Sequence, residues 1–258
     1  MKNYFESDKM PQKVTVIIPA RYGSKRLPGK PLIMLAGRPL ILHVVDRAKE
    51  ISGVDQVIVA TDDERIIKAV EQEKQKALMT PDYLASGTDR VGWVAKELDS
   101  EIIVNLQGDE PLIESEAVEG AIQALVKDNS ISVATLGYPL SKEKVWKDPN
   151  VVKVITDLND NALYFSRHPI PCFRNNNFHP LPHLYQHLGV YIFRRDFLLE
   201  YVKWEPVPLE TAEKLEQLRI LSHGFSMKVI KSKSASFGVD SPDDIERVEE
   251  MLKQRDKF

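Results

Sequence analysis

Between Pro19 and Lys30 the chain sets Arg21, Lys25, Arg26 and Lys30 among Gly23 and Gly29. Glycine lets backbone come close to a phosphate, and guanidinium or ammonium groups neutralise it. Two familiar phosphate motifs are excluded by spacing. Five residues separate Gly23 from Gly29, and Pro31 follows Lys30, so the P-loop's spacing and its metal-binding hydroxyl are both missing. No Gly-x-Gly-x-x-Gly is present either. Four scattered cations also suit a solvated basic turn, but their place directly after the first predicted strand favours a phosphate loop.

A triphosphate requires a divalent cation, and Mg²⁺ takes one or two carboxylates plus water. Asp109, in Gln107-Gly108-Asp109-Glu110-Pro111, follows the strand predicted at Ile102–Leu106 and meets that need; a turn aspartate bonded to its own backbone fits equally well. Asp240, in Gly238-Val239-Asp240-Ser241-Pro242, is a second candidate, and service to the positive end of the next helix explains it as readily. Ser86-Gly87-Thr88-Asp89-Arg90 offers hydroxyls to a base edge and Arg90 to a phosphate or base oxygen, yet a capped helix start accounts for the same residues. Arg167 is a natural partner for a substrate carboxylate. His187, Glu216 and Gln217 carry no signal one by one.

The elements that must position these groups alternate in the first half. Val14–Ile18, Gln56–Ala60, Lys76–Met79, Ile102–Leu106 and Ser132–Leu136 are predicted as strands. Between them, a helix opens at Pro39 with Leu40, Ile41, Val44, Val45, Ala48 and Ile51 on one stripe. Another is capped by Thr61 and Glu64, a third runs through 86–98, and a fourth is capped by Ser115. This is the pattern of an α/β fold with a mostly parallel, doubly wound sheet, whose ligands bind at the strands' carboxyl ends. The second half predicts a hairpin about Asn159-Asp160 and a strand at Leu188–Phe193. Helices follow at Arg195–Tyr201 and Thr211–His223, and a last one is capped by Ser241 with Pro242 at its first position. These later elements read as a smaller α+β unit packed on the first.

The chain of 258 residues suffices for one large domain, residues 13–258, behind an N-terminal extension at 1–12. A net charge of −3 argues against a bulk nucleic-acid or membrane-surface binder. Cys172 is the only cysteine, so no intrachain disulfide forms, in keeping with a reducing, cytoplasmic setting. No membrane-spanning stretch and no signal peptide are expected.

Taken together, the sequence resembles the 3-deoxy-D-manno-octulosonate cytidylyltransferases from about Val14 to Leu252. The resemblance rests on Ile17–Ser24, Leu27–Leu32, Ala60-Thr61-Asp62, Ser86-Gly87-Thr88, Asn105–Pro111, Tyr164–Arg167, His187–Tyr191, Leu215–Arg219 and Gly238–Pro242. It implies a nucleotide-diphospho-sugar transferase fold, a homodimer, Mg²⁺ as cofactor, and CTP and Kdo as substrates, yielding CMP-Kdo for lipopolysaccharide. By motif, Arg21, Ser24, Arg26 and Lys30 would hold the triphosphate, with Arg21, Lys30 and Asp109 central to catalysis. Ser86, Arg90 and Gln107 would flank the nucleotide, and Asp109 and Asp240 would bind magnesium. Arg167, His187, Tyr191, Glu216 and Gln217 would hold the sugar acid. Residues 161–201 are the expected dimerisation and sugar-binding subregion. The 168–173 stretch follows the family only in outline. Position 89 is Asp, as in related enzymes acting on 8-amino-Kdo, which keeps that sugar as an alternative.

Overall fold

The computed structural model describes residues 12–23, 27–175, 177–239 and 241–255. The first half contributes β1 (Val14–Ala20), β2 (Met34–Leu35), β3 (Arg38–Pro39), α1 (Leu40–Lys49), β4 (Gln56–Thr61), α2 (Glu64–Gln72) and β5 (Lys76–Met79). Then come α3 (Gly87–Ala95), β6 (Ile102–Asn105), α4 (Ser115–Lys127), β7 (Val133–Pro139) and α5 (Glu143–Lys147). The second half adds β8 (Lys153–Thr156), β9 (Ala162–Ser166), β10 (Leu184–Arg194), α6 (Arg195–Tyr201), α7 (Pro208–Glu213), α8 (Leu218–Ser222), β11 (Lys228–Lys231) and α9 (Pro242–Arg255).

One mixed sheet runs in the order β11-β7-β10-β6-β1-β4-β5. Strands β6, β1, β4 and β5 are parallel, as the βα alternation requires. Strand alternation divides the core. Val14, Val16, Ile18 and Ala20 of β1 join α1, α4 and α9 on one face, while Ile17 joins Ile58, Val91, Val94 and Phe193 on the other. Both faces are covered, which is why these strands read as continuous apolar runs.

The second half enters this same sheet. β10 lies antiparallel between β6 and β7, with Tyr191 opposite Asn105 and His187 opposite Gly137. Asn105 ends β6, so the amino-terminal part of β10 projects past the carboxyl end of β6 while still paired with β7 as far as Pro139. The reversal thus delivers His187 to the ligand-binding edge of the sheet. The hairpin expected about Asn159-Asp160 is formed by β8 and β9, which hang from β10.

Three expected helix boundaries are corrected. Asp63 caps α2 by accepting the Arg65 N–H at 2.9 Å, whereas Thr61 is wholly buried within β4. Glu114 precedes α4 in place of Ser115; its carboxylate instead receives the Ser232 hydroxyl and the Lys233 N–H, both at 2.6 Å. Finally, the helix expected over Thr211–His223 is broken into α7 and α8. Lys214 turns left-handed there, with φ of 57°. That break leaves Glu216 and Gln217 in the turn between the two short helices, where both line a cleft.

Candidate active site

The loop after β1 folds back on itself through Gly29, whose N–H donates to the Tyr22 carbonyl at 2.9 Å. Gly29 has φ of 70°, and a Cβ there would lie 3.2 Å from the Tyr22 ring, so only glycine suits the turn. The Arg65 guanidinium covers the same ring at 3.3 Å from its centre. Ser24 and Arg26 lie outside the described residues. Lys30 heads the single 3-10 turn that leaves the loop.

The loop after β6 is brought alongside by Gly108, where a Cβ would stand 2.9 Å from the Pro19 carbonyl oxygen. The next residue, Asp109, consequently meets Lys30, and their side chains form an ion pair. The Asp109 carbonyl accepts the Val239 N–H at 3.1 Å, bringing the 232–239 return segment against the same point. Asp240 itself is outside the described residues. Among the described residues no group of three or more His, Cys, Asp or Glu could hold a metal. A Mg²⁺ shared with phosphate oxygens and water does not need one. The ammonium on Asp109 already marks that carboxylate as a cation's counter-charge, so the donor present fits the metal.

A cleft of about 450 Å³ opens from Asp109 towards His187, Tyr191, Glu216 and Gln217, with Asn150 and Lys214 at its sides. Gln217, only 2% exposed, is held from behind. The Tyr191 hydroxyl donates to its Oε1 at 3.1 Å, and its Nε2 donates to His187 Nδ1 at 3.4 Å. His187 Nε2 in turn donates to Thr135 Oγ1 at 2.9 Å, and that hydroxyl donates to the Val190 carbonyl at 2.7 Å. Burial pushes the imidazole down to about 3, so it is neutral near pH 7. With both nitrogens engaged, His187 is an orienting group for Gln217 and no proton carrier.

The remaining candidates are placed differently. Arg21 Nη2 donates to the Leu84 carbonyl and, at 3.4 Å, to that of Ser86. Ser86 and Asp89 form a reciprocal cap on α3: the Asp89 N–H reaches Ser86 Oγ at 3.0 Å and the Ser86 N–H reaches Asp89 Oδ2 at 2.8 Å. Asp89 thus serves the helix start and lines the hollow of Trp93 and Trp204, not the cleft of Asp109 and Glu216. Arg90 is fully buried, bonded to Thr80 and paired with Asp62 at 2.7 Å. Gln107 Nε2 donates to Asn105 Oδ1 at 3.1 Å. Arg167 is outside the cleft wall, with Nε donating to the Glu213 carbonyl and its backbone N–H to the Glu213 carboxylate, each at 2.9 Å.

Sequence reasoning missed Lys153, whose ammonium is wholly buried in strand β8. It donates to the carbonyls of Asp148 at 2.9 Å, Val151 at 2.7 Å, and Arg167. It therefore ties the 148–152 lip of the cleft to the Arg167 segment. Burial lowers it from the ordinary 10.5 to about 8. Between those values the unfolded chain holds a proton that the folded chain has released, so this group's contribution to stability rises with pH. Denaturant unfolding should accordingly show wild type gaining on Lys153→Met as pH rises from about 8 to 10.5. The only sequence signal was a lysine inside an apolar strand.

A carboxylate and an ammonium thus meet beyond the carboxyl ends of two adjacent parallel strands and open on a polar cleft, the place where α/β sheets bind their ligands. Residues 15–232 match the family described as Cytidylyltransferase. A 3-deoxy-manno-octulosonate cytidylyltransferase of Geobacter metallireducens is 46% identical, covering 93% of this chain and 98% of that protein. The enzyme of the same description from Geotalea uraniireducens is 47% identical over 94% and 100%. A solved CMP:2-keto-3-deoxy-manno-octonic acid synthetase complexed with CTP superposes with a TM-score of 0.88 at 41% identity, covering 94% of this chain and 99% of that one. This chain belongs to the 3-deoxy-manno-octulosonate cytidylyltransferases.

Proposed function

We propose that the protein transfers CMP from CTP to the anomeric hydroxyl of Kdo, giving CMP-Kdo and pyrophosphate. The observation that carries this reading is the meeting of Lys30 with Asp109 at the mouth of a cleft walled by Glu216 and Gln217, in a chain whose structural relative was solved with CTP. The triphosphate would lie along the Tyr22–Lys30 loop, where Lys30 offsets charge on the departing pyrophosphate. Its α-phosphorus would then face the cleft. Glu216 and Gln217 would accept from and donate to the sugar hydroxyls, placing the anomeric oxygen for in-line attack. Positioning and charge neutralisation supply most of the rate in such displacements. Asp109, with Asp240, would hold Mg²⁺, which when bound adds positive charge to phosphate oxygens. Asp89, the reason for weighing 8-amino-Kdo, closes a helix cap and does not line this cleft.

Pyrophosphate release measured for each common nucleoside triphosphate against Kdo, 8-amino-Kdo and sialic acid should single out CTP with Kdo. Turnover only with another acid would overturn the sugar assignment. A homodimer through residues 161–201 is supported by Leu163, 60% exposed on the outlying strand β9. A cytoplasmic location is supported by the need for CTP; among the described residues no helix is long and apolar enough to cross a membrane.

A further inference from the structure

Behind Glu216 runs a chain of hydrogen bonds that starts on the nucleotide side of the sheet. Gln107 Nε2 donates to Asn105 Oδ1 at 3.1 Å, and Asn105 Nδ2 donates to Thr88 Oγ1 at 2.9 Å. The Thr88 hydroxyl then donates to Glu216 Oε1 at 2.7 Å. Asn105 is fully buried and Thr88 is 1% exposed, so neither group exchanges these partners for water. The direction of each bond follows from the one before. Gln107 engages the amide oxygen of Asn105, which turns its NH₂ towards Thr88. That donor occupies the threonine oxygen and leaves the single hydroxyl proton to point at Glu216. A chain of donors aligned in one sense strengthens every member, and it ends on an acceptor.

We propose that Thr88 and Asn105 are positioning residues for the sugar acid, holding Glu216 as a fixed acceptor in the cleft and tying that wall to the nucleotide side through Gln107. The inference rests on the reading that Glu216 meets the sugar. It explains why the break between α7 and α8 is stable: the turn is anchored across the fold to α3 and β6. It also explains a hydroxyl in the buried first turn of α3, beyond the Ser86 cap that the helix start requires.

The ionisation of Glu216 fits this role. Burial raises it, while the Thr88 hydroxyl and Arg219 of α8 act the other way. The like charges of Asp89 on α3 and Glu210 on α7 act in the same sense as burial. The phenols of Tyr201 on α6 and Tyr191 on β10 are neutral neighbours, as is His187, and Lys214 and Asp109 border the same cleft. Loss of the Thr88 hydroxyl therefore moves Glu216 towards its protonated form at a higher pH.

Steady-state kinetics of full-length Thr88→Ser and Thr88→Ala separate the hydroxyl from the packing, because both lack the methyl group and only serine keeps the donor. Thr88→Val supplies the converse pair. The expected result is a rise of about ten- to a hundred-fold in the KM for Kdo in the Ala and Val variants, since a hydrogen bond to a charged acceptor is lost. The KM for CTP should stay within about two-fold, kcat should change less than the Kdo KM, and the Ser variant should stay near wild type. The acid limb of kcat/KM for Kdo should shift to higher pH in Ala and Val but not in Ser. Unchanged Kdo KM in Ala and Val, an equal rise for both substrates, or a Ser variant as impaired as Ala would each overturn the proposal. Wild-type turnover with Kdo alongside any of these leaves the assigned reaction standing. A wild-type enzyme inert towards Kdo removes both.

Discussion

Asp109→Ala should lower CTP-dependent pyrophosphate release by several orders of magnitude while the protein stays folded. The expectation comes from where the side chain sits. Asp109 follows β6 at the carboxyl edge of the sheet, its side chain is 31% exposed, and its role in the fold is carried by its backbone carbonyl, which binds Val239. An alanine keeps that carbonyl. Removal of a partly exposed ion pair changes stability by about 1 kcal/mol or less. The charge that would gather a cation against the phosphates, and that pairs with Lys30, is lost entirely. Rate and unfolding midpoint measured on one preparation test both halves. Near-normal turnover would end the assignment of Asp109 to the metal, and a large loss of stability would show that the residue serves the fold.

The parts of this site that sequence could disclose are those determined locally. The loop after β1 follows from glycine and cation spacing, and the alternation of strands and helices placed that loop and Asp109 on the same edge. Other features depend on contacts between distant residues. Ser115 has the right type for a cap, but Glu114 is claimed by Ser232 and Lys233 more than a hundred positions away, and this sets the start of α4. Thr211–His223 has helical periodicity, yet Thr88, Tyr191 and His187 hold Glu216 and Gln217 in a turn that periodicity cannot foresee. Local pattern likewise cannot decide whether β10 runs parallel or antiparallel, and the antiparallel choice carries His187 to the site. Asn105 did leave a trace, as the one polar residue ending the apolar run Ile102–Val104.

Lys30→Ala should lose activity and gain affinity for the metal in the same molecule. Turnover should fall by about 10² to 10³, because an ammonium that neutralises charge on the leaving pyrophosphate acts mainly in the transition state. Lys30→Arg should not restore it, since a planar fork cannot replace a compact charge at a turn only one residue before Pro31. The second effect follows from the ion pair. Without nucleotide the ammonium lies on Asp109, and a Mg²⁺ ion must displace it to reach the carboxylate. With alanine at position 30 that competitor is gone, so calorimetry of the nucleotide-free variant should show tighter Mg²⁺ binding than wild type. With CTP present the advantage should vanish, because in the wild type the phosphates draw the ammonium away. A site in which Lys30 serves only to brace its loop predicts the opposite: weaker Mg²⁺ binding, as Asp109 loses its support.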